Sequence, residues 1–268
     1  MNEATLIKCK KMLKYLFKLT KKAGKIMLLA KNALNIDQKL NSRDLVTEYD
    51  KKVQEYLESN LAKTYPEIHY LAEEGDDFGK VDVKKGELFI IDPIDGTSNF
   101  INSLNLSAIS IAYVVDGETI LGVVYNPFTN EYFYAIKGEG AFYNGKKIVM
   151  QDKSISQGLV GFGTAVYYNE LFQKTKNAFC SVIDKAMDLR RLGSASIDLC
   201  YLATGKFVGF FEFRLAPWDY ASGMLIVKEA GGIITDLNGE ELKFDEKCSV
   251  LGGCKTAYKE LKEILNKC

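Results

Sequence analysis

Two aspartates close an apolar segment in the stretch FIIDPIDGTSNF, which begins at position 89. Asp92 and Asp95 flank a proline and Ile94, and Gly96 follows them. Proline fixes one backbone angle, and Gly96 permits a turn that other residues avoid. We therefore expect the two carboxylates and the Ile94 carbonyl oxygen to converge on one point, as the hard oxygen ligands of Mg²⁺ do. An ordinary Asp-Gly surface turn explains this segment equally well when it is considered alone.

Three other acidic segments accompany this one. LAEEG contains Glu73 and Glu74 at the close of an apolar segment, DLVTEYD ends on Asp50, and APWDYASG places Asp219 beside the single tryptophan. The chain has one histidine, His69, with no nucleophile motif near it, and none of its six cysteines forms a C-x-x-C pair. A Ser-His or Cys-His mechanism and a zinc site are therefore disfavoured. If the chain is an enzyme, carboxylates and metal ions must carry the chemistry.

Taken together and in this order, the segments resemble the inositol monophosphatase family of Mg²⁺-dependent, Li⁺-sensitive phosphatases, and the likeness spans nearly the whole chain. The resemblance implies two or three Mg²⁺ ions per subunit. It implies that one metal is bound by Glu73, Asp92 and the Ile94 carbonyl, and a second by Asp92, Asp95 and Asp219. Glu74 is then a carboxylate outside the ligand set.

The resemblance also implies catalytic and substrate-binding residues. Thr97 and Asp50 match the pair that, with Glu73, orients the attacking water, and Asp44 is expected to be a structural cap. The segment RRLGSASIDL places three small residues at a helix N-terminus, where free amides suit anionic groups, although ordinary serine capping is equally compatible. Arg214 has no counterpart in the family pattern, so a surface arginine and a contact to a second phosphate both remain open. The substrate-binding residues implied are Gly96, Thr97, Gly193, Ser194, Ala195 and Glu212.

The activity implied is hydrolysis of inositol monophosphate or a related sugar phosphate by metal-activated water. Fructose 1,6-bisphosphate and nucleotide 3′-phosphates are alternative substrates, and Ser98 disfavours the nucleotide. Ala216 and Pro217 depart from the polar segment usual beside the substrate, which puts inositol specificity in question. A member that binds a metabolite or a protein without catalysis is the alternative from a different class.

The surrounding pattern predicts an α+β fold, layered as an αβαβα sandwich. Apolar residues at helical spacing predict a first helix reaching Leu34 and a second over positions 47–64. Three β-branched and aromatic segments separated by turn signals predict an antiparallel sheet up to position 149, which packs on these helices. Alternating strands and helices after position 154 predict an α/β half with a mixed sheet. We expect residues 1–150 to carry most metal ligands, and residues 151–268 to carry Asp219 and the substrate-binding residues.

Composition limits the other possibilities. Lysine plus arginine equals aspartate plus glutamate, at 35 each in 268 residues, so the overall charge predicts neither nucleic-acid nor membrane binding. The first helix carries many lysines, which indicate a solvated face or, alternatively, a membrane surface or an anionic partner. Without a signal-peptide pattern the chain is expected in the cytoplasm. A small-molecule phosphate ester is the expected partner, and the family resemblance implies a homodimer.

Overall fold

The computed structural model describes residues 2–30, 36–38, 45–75, 77–165 and 168–268. Asp44 and Leu34 lie outside the described residues. Within the described ranges the helices are α1 (Glu3–Leu29), α2 (Glu48–Thr64), α3 (Thr97–Ile101), α4 (Asn169–Ile183), α5 (Ala195–Ala203), α6 (Pro217–Glu229) and α7 (Lys255–Leu265). None of these helices is both long enough and apolar enough to cross a membrane.

The strands of the described residues form three sheets. They are β1 (Ile36–Gln38), β2 (Leu45–Thr47), β3 (His69–Ala72), β4 (Glu87–Asp95), β5 (Ala108–Val115), β6 (Glu118–Asn126), β7 (Glu131–Ile136), β8 (Gly140–Tyr143), β9 (Lys146–Ile148), β10 (Leu159–Phe162), β11 (Asp188–Arg190), β12 (Phe207–Leu215), β13 (Ile233–Thr235) and β14 (Cys248–Gly253). A seven-stranded sheet has the order β3-β4-β5-β6-β7-β8-β9, a five-stranded sheet the order β11-β10-β12-β14-β13, and β1 pairs with β2.

The seven-stranded sheet is antiparallel from β4 to β9, as predicted, but its edge strand β3 runs parallel to β4. Two of its hairpins turn at Asp116-Gly117 and Asn144-Gly145, where all four residues have positive φ. Positive φ at both central positions is the geometry of tight two-residue hairpins, so these sequence signals acted as expected. The direction of β3 has no such signal, because a long connection rather than a tight turn joins it to β4.

Helices and sheets alternate in five layers, which confirms the predicted αβαβα sandwich. Helices α1 and α2 pack on one face of the seven-stranded sheet, and α5 and α6 lie between the two large sheets. Helices α4 and α7 cover the outer face of the five-stranded sheet. Helix α6 is buried around nearly its whole circumference, as expected for a helix between two apolar layers. The division of the chain near position 150 stays a prediction.

The approach of α6 to the seven-stranded sheet depends on a glycine of β6. A Cβ atom at Gly122 would lie 2.8 Å from the carbonyl oxygen of Ser222 and 3.1 Å from its Cα atom. Both atoms belong to the backbone of α6, so they could not move aside as a flexible side chain would. Glycine at this position therefore allows the helix to lie directly on the strand.

Candidate active site

Asp92 and Asp95 lie in β4, which continues through both aspartates instead of ending before them as the sequence predicts. In the ladder with β5, Asp92 pairs with Ser110 and Asp95 pairs with Ala108. Three steps along β4 thus match two steps along β5, which is a bulge with one extra residue. In a regular strand, residues three apart point to opposite faces. The bulge therefore brings the two carboxylates to the same side of the sheet.

Asp219 joins these two aspartates from the first turn of α6. One carboxylate oxygen from each of Asp92, Asp95 and Asp219 lies within 4.8 Å of the others. The Asp219 carboxylate is also held by its own helix start, because its Oδ2 accepts a hydrogen bond from the amide of Ala216 at 2.7 Å. Pro217 begins the helix, and proline is favoured there because its missing N–H would have no helical partner.

The cluster is electrostatically unfavourable when it is fully ionised. Burial raises the pKa of Asp92 well above its usual value, and the charges of Glu73, Asp95 and Asp219 raise it further. Burial likewise raises the pKa of Asp219, with Asp95 and Glu73 adding to the effect. Crowded carboxylates of this kind are relieved by a cation. Because every donor is a hard oxygen, the residues present fit Mg²⁺ better than a softer metal.

Asp95 also caps α5, which belongs to the second half of the chain. Its Oδ2 accepts hydrogen bonds from the hydroxyl of Ser194 at 2.5 Å, from the amide of Ser196 at 2.7 Å and from the hydroxyl of Ser196. Its Oδ1 accepts a longer one from the amide of Ala195 at 3.3 Å. Burial raises the pKa of Asp95, and the bonds from Ser194 and Ser196 oppose that shift. The helix end that the sequence analysis assigns to substrate is therefore bonded to a carboxylate of the cluster.

Thr97 and Asp50 are in contact, although they are 47 positions apart in the chain. The Thr97 hydroxyl lies 3.1 Å from Asp50 Oδ1 and 3.2 Å from the Ile94 carbonyl oxygen, so its one proton has two acceptors within reach. Asp50 Oδ2 accepts from the amide and hydroxyl of Thr47, which caps α2. Burial raises the pKa of Asp50 despite these donors. Thr47, at the start of α2, therefore fixes the Asp50 carboxylate that contacts Thr97.

A cavity of about 370 Å³ opens over the cluster, and every predicted site residue except Asp50 lines it. Glu73 lines the cavity and Glu74 does not. The amide of Glu74 instead donates to Gln54 Oε1 at 3.0 Å. The two glutamates therefore differ in position, and Glu73 is not among the three aspartates whose oxygens cluster, so its assignment as a ligand stays a prediction.

Two glycines of the cavity are required by their surroundings. Gly96 has φ of +89°, and a Cβ atom there would lie 2.9 Å from the carbonyl oxygen of Leu106. Gly193 has φ of +82°, and the Asn99 side chain donates to the neighbouring Leu192 carbonyl at 2.7 Å. Both glycines adopt backbone angles that other residues disfavour. They keep the rim next to Asp95 free of side chains.

Glu212 lies in β12, and its carboxyl group packs against Gly163 at the wall of the cavity. A Cβ atom at Gly163 would be 1.9 Å from Glu212 Oε2, so the carboxyl group occupies the space of the missing side chain. Glu212 Oε1 accepts from the amide of Ala165 at 3.1 Å. Burial raises the pKa of Glu212 to about 7, against the opposing effects of that amide and of Arg191. The Glu212 carboxyl is therefore placed to receive hydrogen bonds from a bound molecule.

Several cavity residues were not found from the sequence. Asn99 and Asp198 line the cavity, and Asn99 donates to the Leu192 carbonyl 93 positions away. Ser196 lies behind the cavity wall and bonds to Asp95. All three lie within the segments quoted in the sequence analysis, but their types and spacing did not single them out. The buried Asp198 Oδ1 has no hydrogen-bond partner within the part of the chain that the structure describes. Lys247 and Tyr168 also line the cavity, and neither belongs to a recognisable sequence motif.

The chain is similar to known proteins over most of its length. The profile of the inositol monophosphatase family matches residues 8–267. A curated relative from Thermotoga maritima, named fructose-1,6-bisphosphatase/inositol-1-monophosphatase, is 37% identical over 231 residues, which cover 85% of this chain and 86% of the relative. The Nus factor SuhB of Escherichia coli is 37% identical over 237 residues, which cover 85% of this chain and 86% of that protein.

Solved structures with the same fold include a Thermotoga maritima IMPase, which has a TM-score of 0.86 and 33% identity over 96% of this chain and 97% of its own. The SaIMPase-II structure with bound inositol monophosphate has a TM-score of 0.82 and 27% identity, and covers 96% of this chain and 94% of its own. An IMPase/NADP phosphatase complexed with Mg²⁺ and phosphate has a TM-score of 0.83 and 25% identity, over 98% of this chain and 96% of its own.

Proposed function

This chain belongs to the inositol monophosphatase family, and we propose that it is a Mg²⁺-dependent phosphomonoesterase that hydrolyses inositol monophosphate or a related sugar phosphate. One observation carries the proposal: the carboxylates of Asp92, Asp95 and Asp219 converge in one cavity that Thr97 also lines, and Asp50 contacts Thr97 from behind the wall. The family and several curated relatives carry phosphatase names, which supports the reaction class.

We propose that Mg²⁺ is held by these three aspartates together with Glu73 and the Ile94 carbonyl oxygen. When bound, Mg²⁺ supplies the positive charge that lets an anionic ester approach carboxylates and makes water a better nucleophile. The neighbour complexed with Mg²⁺ and phosphate supports the choice of metal. The crowding that raises the pKa of Asp92 supports it independently, because such a cluster favours a bound cation.

In this proposal Thr97 orients the attacking water. A threonine hydroxyl has one proton and two lone pairs. When that proton is directed to Asp50 Oδ1 at 3.1 Å, the lone pairs are left to accept a hydrogen bond from a water molecule in the cavity. The bonds from Thr47 hold Asp50 in place, so this acceptor for the Thr97 hydroxyl is fixed before substrate arrives. Preorganisation of this kind lowers the barrier without further reorganisation.

The substrate's hydroxyl groups would be read by Glu212. Its carboxyl group lines the cavity and accepts one backbone hydrogen bond, from the amide of Ala165. A polyol can supply the missing donors, whereas an apolar leaving group cannot. Glu212 therefore supports a hydroxylated substrate, in keeping with inositol or a sugar.

The test is phosphate release from inositol 1-phosphate and a panel of sugar phosphates, with Mg²⁺ and then with a chelator. We expect turnover with Mg²⁺ and its loss with the chelator. Replacing Thr97 with alanine should lower kcat by about 10²-fold or more, the usual contribution of a residue that manages the transferred proton. Thr64→Ala is the matched control, since its hydroxyl is exposed, bonds to the Asn60 carbonyl and does not line the cavity. No release from any ester with Mg²⁺ supplied would exclude the phosphatase.

A second function, binding without catalysis, is favoured by one comparison. The Escherichia coli relative with the name Nus factor SuhB matches this chain at 37% identity, the same value as the Thermotoga maritima phosphatase. The intact set of acidic residues and the Thr97–Asp50 pair favour the enzyme. Calorimetry separates the two, because Mg²⁺ binding with no turnover of any ester would support the binding-only function.

We also propose a homodimer, on the family resemblance, and a cytoplasmic location. Light scattering at micromolar concentration is expected to give twice the chain mass of 30.0 kDa. A single-chain mass would rule out the dimer.

A further inference from the structure

Helix α1 is much more basic than the rest of the chain. It contains eight lysines and one acidic residue, Glu3, so its net charge is +7. The whole chain has 35 basic and 35 acidic residues and is neutral, so the residues outside α1 together carry −7. The even overall charge therefore conceals a separation of charge between α1 and the rest of the protein. A concentration of like charge on one element favours an encounter with a partner of the opposite sign.

Six of these lysines form an exposed basic surface. Lys8 and Lys10 are ion-paired, with Glu87 at 2.6 Å and with Glu139 at 2.8 Å. The other six are exposed and form no ion pair with any residue that the structure describes: Lys11, Lys14, Lys18, Lys21, Lys22 and Lys25. At about 100° per residue, they lie within about 100° of the helix circumference and extend over about 21 Å of its length. We call these six residues the lysine face.

Exposed apolar side chains lie at the two ends of the lysine face. Ile7 is 48% exposed and Leu29 is 77% exposed, and the helical repeat places both within the arc of the lysines. The apolar stripe on the opposite side of α1, which includes Leu16, is buried in the core against the seven-stranded sheet. The helix therefore presents basic groups along its exposed side and apolar groups at the ends of that side, while it stays packed on the sheet.

A nucleic acid fits this surface less well than a membrane does. Helix α1 has no arginine, which is the residue that most often reads base edges. Its two aromatic side chains are engaged within the protein, because Tyr15 donates to the Asn60 carbonyl at 2.7 Å and the Phe17 ring stacks on Tyr132 at 3.9 Å between centroids. Neither ring is free to stack on a base. The phosphates of a nucleic acid would attract the lysines, but they offer nothing to the apolar ends.

We propose that the lysine face docks the protein peripherally on a membrane that contains anionic lipids, with α1 parallel to the membrane surface. Such a membrane presents a flat layer of phosphate groups to the lysines and an interfacial layer to Ile7 and Leu29. Clusters of about four to eight basic residues bind anionic membranes, and each lysine strengthens the binding by about 5-fold. No residue that lines the candidate active site belongs to α1, so this surface is separate from the site and goes beyond the proposed phosphatase function.

The test is sedimentation of the full-length protein with vesicles at low and at high salt. Vesicles of phosphatidylcholine alone are compared with vesicles that also contain phosphatidylglycerol, which is anionic. We expect binding to the anionic vesicles to be tighter by about 10-fold or more, and salt to weaken it because the lysines are exposed. Equal binding to both kinds of vesicle, or binding to neither, would overturn the proposal. The measurement needs no turnover, so its outcome is independent of the phosphatase proposal.

A triple variant tests whether the lysine face itself makes the contact. Lys14→Gln, Lys18→Gln and Lys25→Gln together should weaken binding to anionic vesicles by about 100-fold, since each lysine contributes about 5-fold. The matched control loses the same charge at three exposed lysines outside α1, which are replaced with glutamine: Lys80, Lys153 and Lys259. The control should bind nearly as well as the unchanged protein. An equal loss in both triple variants would show that net charge and not the lysine face determines binding, and would refute the proposal.

Leu29→Ser distinguishes a membrane from a nucleic acid. It should weaken binding to anionic vesicles by about 5-fold, because the leucine side chain would enter the membrane interface. Double-stranded RNA at the same phosphate concentration should not displace the protein from the vesicles. Displacement by RNA would overturn the membrane in favour of a nucleic-acid partner, and undiminished vesicle binding by Leu29→Ser would contradict contact between the apolar ends and the membrane.

Discussion

Asp95 and Ser196 are joined by two hydrogen bonds that reach the same carboxylate oxygen, one from the Ser196 amide at 2.7 Å and one from its hydroxyl. The contact links β4 to α5 over 101 positions of sequence. Oδ2 also accepts from Ser194, whereas Oδ1 accepts only the longer bond from the Ala195 amide at 3.3 Å, so Oδ1 is the oxygen of Asp95 better placed to bind a metal ion. The orientation of a proposed ligand is thus set from the other half of the chain.

Ser196→Ala should therefore weaken Mg²⁺ binding while leaving the backbone bond in place. Loss of a partner that orients a metal ligand typically lowers metal affinity by about 10-fold or more. Calorimetry of Mg²⁺ binding measures this without any substrate. Thr175→Val removes a buried hydroxyl of α4 that bonds within its own helix and should leave the affinity unaltered. An affinity equal to that of the unchanged protein in Ser196→Ala would contradict the role.

Asp92→Asn should abolish activity without loss of folding. The amide is nearly isosteric, and activity should fall by about 10³-fold or more because the metal's electrostatic contribution is several kcal/mol. In Mg²⁺-free buffer the melting temperature should rise, since repulsion from Glu73, Asp95 and Asp219 is removed. Glu74→Gln should lower activity far less than Asp92→Asn does. Near-normal turnover in Asp92→Asn would exclude the metal mechanism, and a greater loss in Glu74→Gln would shift the proposed ligand by one residue.

Gly163→Ala should displace the Glu212 carboxyl, because the new Cβ atom would come within 1.9 Å of Oε2. Glu212 is the flexible partner, so the fold should survive while KM for inositol 1-phosphate rises by about 10-fold, the value of one or two hydrogen bonds. Glu212→Gln should raise KM in the same direction. An unchanged KM in both variants would show that Glu212 does not contact the substrate.

Glu131→Gln should lower stability near neutral pH and matter less in acid. Burial tends to raise the pKa of Glu131, but bonds from Lys206, Thr129 and Tyr201 outweigh it and the net pKa is lowered. A lowered folded pKa stabilises the protein above the unfolded value of about 4.3, and that stability is lost as the pH falls through the folded pKa. The expected loss at pH 7 is roughly 1–3 kcal/mol, or a melting-temperature decrease of about 2–10 °C. Melting curves at pH 7 and pH 3.5 check it. A difference as large at pH 3.5 would contradict the role of the charge.

The sequence predicted those parts of the site that a local pattern encodes. The spacing of Asp92, Asp95 and Gly96 predicted convergent carboxylates, and they do converge. It also predicted a loop, whereas β4 continues through a bulge. Turn residues signal an interruption, but the partner strand decides whether pairing resumes, and that information lies in β5.

Contacts between distant segments could not be predicted in this way. Serine at a helix start favours ordinary capping, yet Ser194 makes no capping bond to its own helix and donates to Asp95. Tyr168 has no periodic or motif context, and its place between Arg214 and Lys247 depends on the packing of three segments. The roles of such residues can be recognised only from the packed structure, in which distant segments are in contact.

The close approach of α6 to β6 has a consequence for the choice of ion. Gly122 belongs to a strand without any proposed ligand, yet it determines how near Ser222, and so the turn that bears Asp219, can come to the sheet that bears Asp92. A side chain at position 122 would act as a spacer under the helix and widen the gap between the aspartates without touching them. Discrimination between a small ion and a larger one is set by cavity size and ligand flexibility. If the aspartates hold Mg²⁺ as proposed, a larger residue at position 122 is therefore expected to shift the preference between ions of different radius, although Gly122 itself is not a proposed ligand.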